Sequence, residues 1–155
     1  VYENIHFLLV GSGDLKEKYQ KLLCENTNVS FLPRIEQNQV KYFLSTCDFL
    51  YLSTQASKVW DFGQSMNKVV EYMLAAKPII ATYSGYPSMI NESDCGVFVN
   101  TKNPDELRDV FLAYAKLSKD QLSQIGENGR RWIFENRTYA KLAAKYFEKI
   151  DSLLD

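Results

Sequence analysis

Five short apolar runs, each closed by a turn and most followed by residues at helical spacing, limit what this chain can fold into. The first, residues 5–10, holds Ile5, Phe7, Leu8, Leu9 and Val10 and stops at Gly11-Ser12-Gly13-Asp14. Continuous rather than alternating apolarity predicts a strand buried on both faces, as in a parallel sheet. Leu15, Tyr19, Leu22 and Leu23 then recur at helical spacing, with Asp14 placed to cap. Further strands are expected at 29–32, 48–52, 78–82 and 96–100. Between them lie helices over 37–46 and 65–76, an irregular stretch over 53–64, and a short turn or helix at 86–91. Beyond residue 104 only helical patterns remain, over 104–117, 119–134 and 139–154.

Strands alternating with helices predict the α/β class. The expected architecture is a doubly wound, Rossmann-like parallel sheet with helices on both faces and extra helices at the C-terminal end. A chain of 155 residues fits one domain, 1–155. With 46 % hydrophobic and 24 % charged residues, it has the makeup of a globular protein rather than a disordered one. A net charge of −1 and a pI near 5.9 argue against nucleic acid as the partner. No apolar run approaches the roughly 20 residues of a spanning helix, and no signal-peptide pattern opens the chain. A cytoplasmic location is expected, with peripheral membrane contact left open. Cys24, Cys47 and Cys95 are odd in number and lack metal-ligand spacing. Their apolar or small neighbours predict buried, reduced thiols, and no metal site is expected.

Ligands of open parallel sheets bind outside the carboxyl ends of the strands, which directs attention to residues 11–14, 33–35, 53–68 and 84–88. Gly11-Ser12-Gly13 after a strand lets the backbone turn tightly and aim amides at an anion. A dinucleotide fingerprint would place a third glycine where Lys16 stands, so a plain strand–helix turn is the other reading. The segment 61–73 says more. Val69, Val70, Met73 and Leu74 give its helix an apolar face, and Ser65 is a natural N-cap. Lys68 near the amino end opposes the helix dipole, which suits a site where a diphosphate joins the free amides. Glu71, one turn on, has a carboxylate able to accept two hydrogen bonds from a ribose diol. An ordinary surface pair between Lys68 and Glu71 at i, i+3 would explain the same residues.

The stretch 62–80, FGQSMNKVVEYMLAAKPII, resembles the GT4-type, or group 1, glycosyltransferases of the GT-B fold. It is similar to the subgroup whose nucleotide-sugar helix reads G-x-S-P-N-K-x-x-E-Y-M-A-A-G-K-P. The likeness continues, in the family's order, at HFLLVGSGDLKEKYQ, VSFLPRIEQNQVKYFLSTCDFLYLS and SGYPSMINESDCGVFV. It implies the C-terminal, donor-binding half of a two-domain enzyme that moves a hexosyl or N-acetylhexosaminyl group from a nucleotide-diphosphate sugar to a glycan or lipid-linked acceptor. Retention of anomeric configuration, a role in polysaccharide assembly, and no cofactor beyond the donor come with it. Glu71 matches the second glutamate of the family's E-x7-E motif, which holds the donor ribose. Ser65, Met66, Asn67 and Lys68 match the segment that receives the diphosphate and sugar. Arg34 and Ile35 match the segment that brackets the base, and Gly11 and Gly13 line the same cleft.

The sequence departs from the family in places. The first glutamate of E-x7-E falls at Gly63, with Asp61 as a substitute, the usual proline is Met66, and the glycine before Lys77 is Ala76. The Arg and Lys that clamp the diphosphate would lie upstream of residue 5. So would the acceptor domain and the first strand of this one, so the chain is expected to be a fragment inactive alone. A non-catalytic nucleotide-binding or signalling module on the same sheet is the competing reading. A GT-B sugar epimerase would need further acid–base residues. His6 is expected at the edge of the core, and Trp132 and Phe134 inside it. Lys141, Lys145 and Lys149 line one helix face at i, i+4, i+8, which reads as a solvated face or as a contact with an anionic membrane.

Overall fold

A computed structural model of the chain describes residues 4–54, 57–62, 66–82, 88–99 and 103–154. The chain divides into two compact units, with the boundary between Phe43 and Leu44.

In the first unit, β1 (Phe7–Val10) pairs in parallel with β2 (Val29–Leu32), and α1 (Lys16–Leu22) connects them. Phe7 stands opposite Val29 and Val10 opposite Leu32, so the loops leaving both strands emerge side by side. The expectation that the first strand is buried on both faces does not hold. Leu8 and Leu9 are 44 % and 42 % exposed, and α1 buries no residue. A two-stranded sheet with the short α1 and the start of the helix that follows β2 has too few side chains to cover both faces. Nor does Asp14 cap α1, because the cap position falls to Leu15, whose side chain makes no capping bond. His6 precedes the strand, is exposed, and lies 2.8 Å from Ser30 Oγ. It is therefore a surface residue rather than one at the edge of the core.

The helix α2 (Gln37–Thr46) leads into the second unit and buries Leu44. There β3 (Leu50–Ser53), β4 (Ile79–Thr82) and β5 (Gly96–Phe98) form a parallel sheet in the order β3-β4-β5. The parallel ladders thus fall into two sheets, one in each unit. Every residue of β4 is buried, as a continuous apolar run on a central strand requires. Between β3 and β4 come a 3₁₀ helix (Lys58–Phe62) and α3 (Asn67–Leu74). α4 (Met89–Glu92) precedes β5, and α5 (Pro104–Ala115), α6 (Lys119–Asn136) and α7 (Tyr139–Leu154) complete the chain.

The core gathers Leu52, Val69, Met73, Ile79, Ala81, Met89, Ile90, Cys95 and Ile133, with Trp132 packed against it. Phe134, expected inside, is exposed, because it follows Ile133 by one position and so turns away from the face that Ile133 buries. Of the three thiols only Cys95 is buried, while Cys47 is half-buried and Cys24 exposed. Neighbour composition misjudged the other two, since both lie at or just past helix ends. Side-chain caps fix the later helices. Ser88 Oγ accepts from Ile90 N–H, Asn103 Oδ1 from Glu106 N–H, and Ser118 Oγ from Gln121 N–H. Along α7, Tyr139, Leu142, Tyr146, Phe147 and Leu153 are exposed beside Lys141, Lys145 and Lys149. Among the described residues no helix is long and apolar enough to cross a membrane.

Candidate functional site

The carboxyl edge of the first unit's sheet carries Gly11, Gly13, Arg34 and Ile35. Gly11 has φ of 136°, a conformation that side-chain-bearing residues rarely adopt, and its N–H donates to Leu32 O at 3.3 Å. A Cβ at Gly13 would meet nothing within 4 Å, so no protein neighbour demands a glycine there. Arg34 is exposed and Ile35 half-buried. The Nζ of Lys16 donates to Gly11 O at 2.8 Å and to Leu32 O at 2.7 Å, tying the two loop origins together. The sequence marked Lys16 only as the residue in place of a third glycine. Nothing in the spacing signalled that its amine reaches back over the strand ends.

In the second unit, α3 must run with its amino end toward the carboxyl edge of the sheet. Its last turn joins β4 through residues 75–78 alone, which fixes its carboxyl end beside the start of that strand. Val69 and Met73 are fully buried and hold the helix on the core. Leu74, expected on that apolar face, is 41 % exposed. It lies a further 100° around from Met73, beyond the contact. The helix begins two residues later than expected, and its N-cap is Met66, whose side chain makes no capping bond. Ser65 and Gly63 lie outside the described residues, as does most of the 84–88 segment.

Met66 is half-buried, Asn67 and Lys68 exposed, and Glu71 half-buried. Asn67 and Glu71 share one face at i, i+4, with Lys68 on the neighbouring strip. No ion pair within 4.0 Å joins Lys68 to an acid among the described residues, so the ordinary Lys68–Glu71 pair is not formed. Asp61 is exposed at the end of the 3₁₀ helix. The Tyr72 phenol is pushed up from its ordinary value, first by burial, then by Cys47 and by Glu71. Burial likewise pushes the Cys47 thiol up, against the lowering effect of Lys77. Among the described residues no three His, Cys, Asp or Glu side chains could hold a metal ion.

Thr54 and Thr82 secure the carboxyl ends of β3 and β4. Thr82 Oγ1 accepts from Thr54 N–H at 3.0 Å and faces Thr54 O at 3.4 Å, while Thr54 Oγ1 donates to Thr82 O. Both threonines are buried, so the carboxyl ends of β3 and β4 are fixed to each other by reciprocal bonds. This pair also escaped the sequence, because threonine in a strand carries no sign of its partner.

The start of α3 thus presents Asn67 and Lys68 in its first turn and Glu71 one turn along it. Solved structures share the fold of the chain. Sucrose-phosphate synthase from Thermosynechococcus elongatus aligns with a TM-score of 0.66 at 16 % identity, covering 95 % of this chain and 38 % of that one. HepE from Anabaena in complex with UDP-glucose aligns with a TM-score of 0.69 at 16 % identity, covering 95 % of this chain and 41 % of that one. HepE in complex with UDP gives 0.66 at 18 % identity, over 96 % and 41 % of the two chains. The chain therefore spans about two fifths of the length of the structures it matches. No curated protein sequence matches it. The α/β fold with parallel sheets is that of the C-terminal half of GT-B glycosyltransferases. Residues 1–116 match the model of the family described as glycosyl transferases group 1, and the chain belongs to that family.

Proposed function

We propose that this chain is the donor-binding half of a retaining glycosyltransferase that moves a hexosyl or N-acetylhexosaminyl group from a nucleotide-diphosphate sugar to a glycan or lipid-linked acceptor. One observation carries the reading. The amino end of α3 stands at the carboxyl edge of a parallel sheet with Met66, which makes no side-chain capping bond, at its N-cap, Lys68 in its first turn and half-buried Glu71 one turn on. HepE, of the same fold, is seen in complex with UDP-glucose, with UDP and glucose, and with UDP.

In this reading the first-turn amides and Lys68 receive the diphosphate, and Glu71 accepts from the ribose hydroxyls. Asp61, Gly63, Ser65, Met66 and Asn67 serve the sugar and diphosphate. Gly11, Gly13, Arg34 and Ile35 serve the base. Breaking the sugar–diphosphate bond moves negative charge onto the leaving oxygen. Fixed amides and a lysine stabilise that charge more in the transition state than before it. The donor is the only small molecule this chemistry requires. The acceptor and the rest of the active site belong to a further, N-terminal domain, and a place at the cytoplasmic face of a membrane suits a lipid-linked acceptor.

Calorimetric titration of the chain with UDP and GDP, and with their sugars, tests the proposal. Binding of one nucleoside diphosphate, weakened roughly tenfold or more by Glu71→Ala, is expected from the loss of charged hydrogen bonds. No binding of either, at millimolar ligand, would overturn it in favour of a module without a donor site.

A further inference from the structure

We infer that Lys16 is a positioning residue for the donor, an inference that rests on the function proposed above. Its ammonium lies 2.8 Å from Gly11 O and 2.7 Å from Leu32 O, the carbonyls at the carboxyl ends of two adjacent parallel strands. Leu32 O also accepts from Gly11 N–H, so three bonds link Lys16, Gly11 and Leu32, the residues from which the loop at 11–14 and the segment 33–35 depart. Gly11 at φ of 136° and Gly13 in open space leave that loop little side-chain packing of its own. The lysine tie is what sets its distance from Arg34 and Ile35.

Lys16 also changes the electrostatics of this edge. Two carbonyl oxygens converge on one point, and the ammonium between them cancels their field at the edge that carries Arg34 and Ile35. Lys16 is half-buried, which weakens screening by solvent. A glycine here, as in a dinucleotide fingerprint, would let a backbone come close but could supply neither the tie nor the charge.

The test compares wild type, Lys16→Arg and Lys16→Met by calorimetric titration with UDP and GDP, with thermal melts of each. Lys16→Met should weaken binding of the preferred nucleotide roughly tenfold, while Lys16→Arg, which keeps charge and donors, should bind within about threefold of wild type. Should Lys16→Met fail to fold, Lys16→Gln, which keeps donors but not charge, takes its place with the same loss expected. Wild-type binding matched by a folded Lys16→Met or Lys16→Gln overturns the inference and leaves the donor site standing. Weakening in Lys16→Arg equal to that in Lys16→Met also overturns it. No nucleotide binding by wild type overturns the donor site, and the role of Lys16 with it.

Discussion

Gly126 of α6 sits directly against the carbonyl of Ala76, so closely that a Cβ built on it would lie 2.0 Å from Ala76 O. Ala76 itself takes φ of 54°, the left-handed conformation that ends α3 and turns the chain toward β4. These two residues set where α3 stops, and hence how the segment carrying Lys68 and Glu71 lies on the sheet. The motif that residues 62–80 resemble has glycine where this chain has Ala76, and the positive φ suits a glycine there. An L-residue there costs about 1–2 kcal/mol.

Ala76→Gly should therefore stabilise the fold by up to about 1 kcal/mol, the relief of strain exceeding the added freedom of the unfolded chain. Urea unfolding read by circular dichroism checks this through an increased midpoint at unchanged slope. Gly126→Ala should move the midpoint the other way by about 2 kcal/mol or more, although alanine favours helix, because its methyl meets backbone that cannot step aside.

Thr82→Val keeps the shape of the β4 end but removes the hydroxyl that Thr54 N–H and Thr54 O face. A loss of about 1 kcal/mol is expected in the same unfolding measurement, because the buried bonds to the hydroxyl are lost while Thr54 N–H keeps Thr82 O at 3.2 Å. Thr54→Val should cost a similar amount, and the double variant less than the sum, because both changes break one network.

The thiol of Cys95 is pushed up from its ordinary value of 9.0, chiefly by burial, and the phenol of Tyr114 up from 10.0, first by burial and then by Cys95. Both groups keep their protons longer in the folded state. Well below pH 9.0 the two states bind equal protons at Cys95 and stability does not depend on it. Above that value the unfolded chain releases its proton first, so stability falls as pH rises. Melting temperatures in reducing buffer should accordingly be flat across neutral pH and decline in alkali. Thiol-specific reagents should reach exposed Cys24 first and Cys95 only on unfolding.

Much of this fold could be read from the order of its residues. The strand at Val29–Leu32 and the helices Gln37–Thr46 and Tyr139–Leu154 fall where local pattern places them, because their apolar spacing and flanking breakers agree. The start of α3 was harder. Ser65 offers a better capping side chain than Met66, yet Met66 has the extended backbone of the cap, since the seating of Val69 and Met73 on the core decides the register. Exposure of Leu8 and Leu9 depends on how much chain covers the sheet, and a strand's own residues do not encode that. Lys68 and Glu71 could be picked out because each departs from what a helix start or an apolar face prefers. The Lys16 tie, the Thr54–Thr82 bonds and the Gly126–Ala76 contact join positions 16, 28 and 50 residues apart, beyond the reach of local spacing.

Ribose recognition by Glu71 is the claim on which the rest stands, and one comparison addresses it. The nucleoside diphosphate that binds best and its 2′-deoxy form are titrated into wild type and into Glu71→Ala. A carboxylate holding the diol predicts that wild type prefers the ribose form roughly tenfold and that the variant loses the preference. Equal affinity of wild type for both ligands, or a preference that survives in Glu71→Ala, would contradict the account.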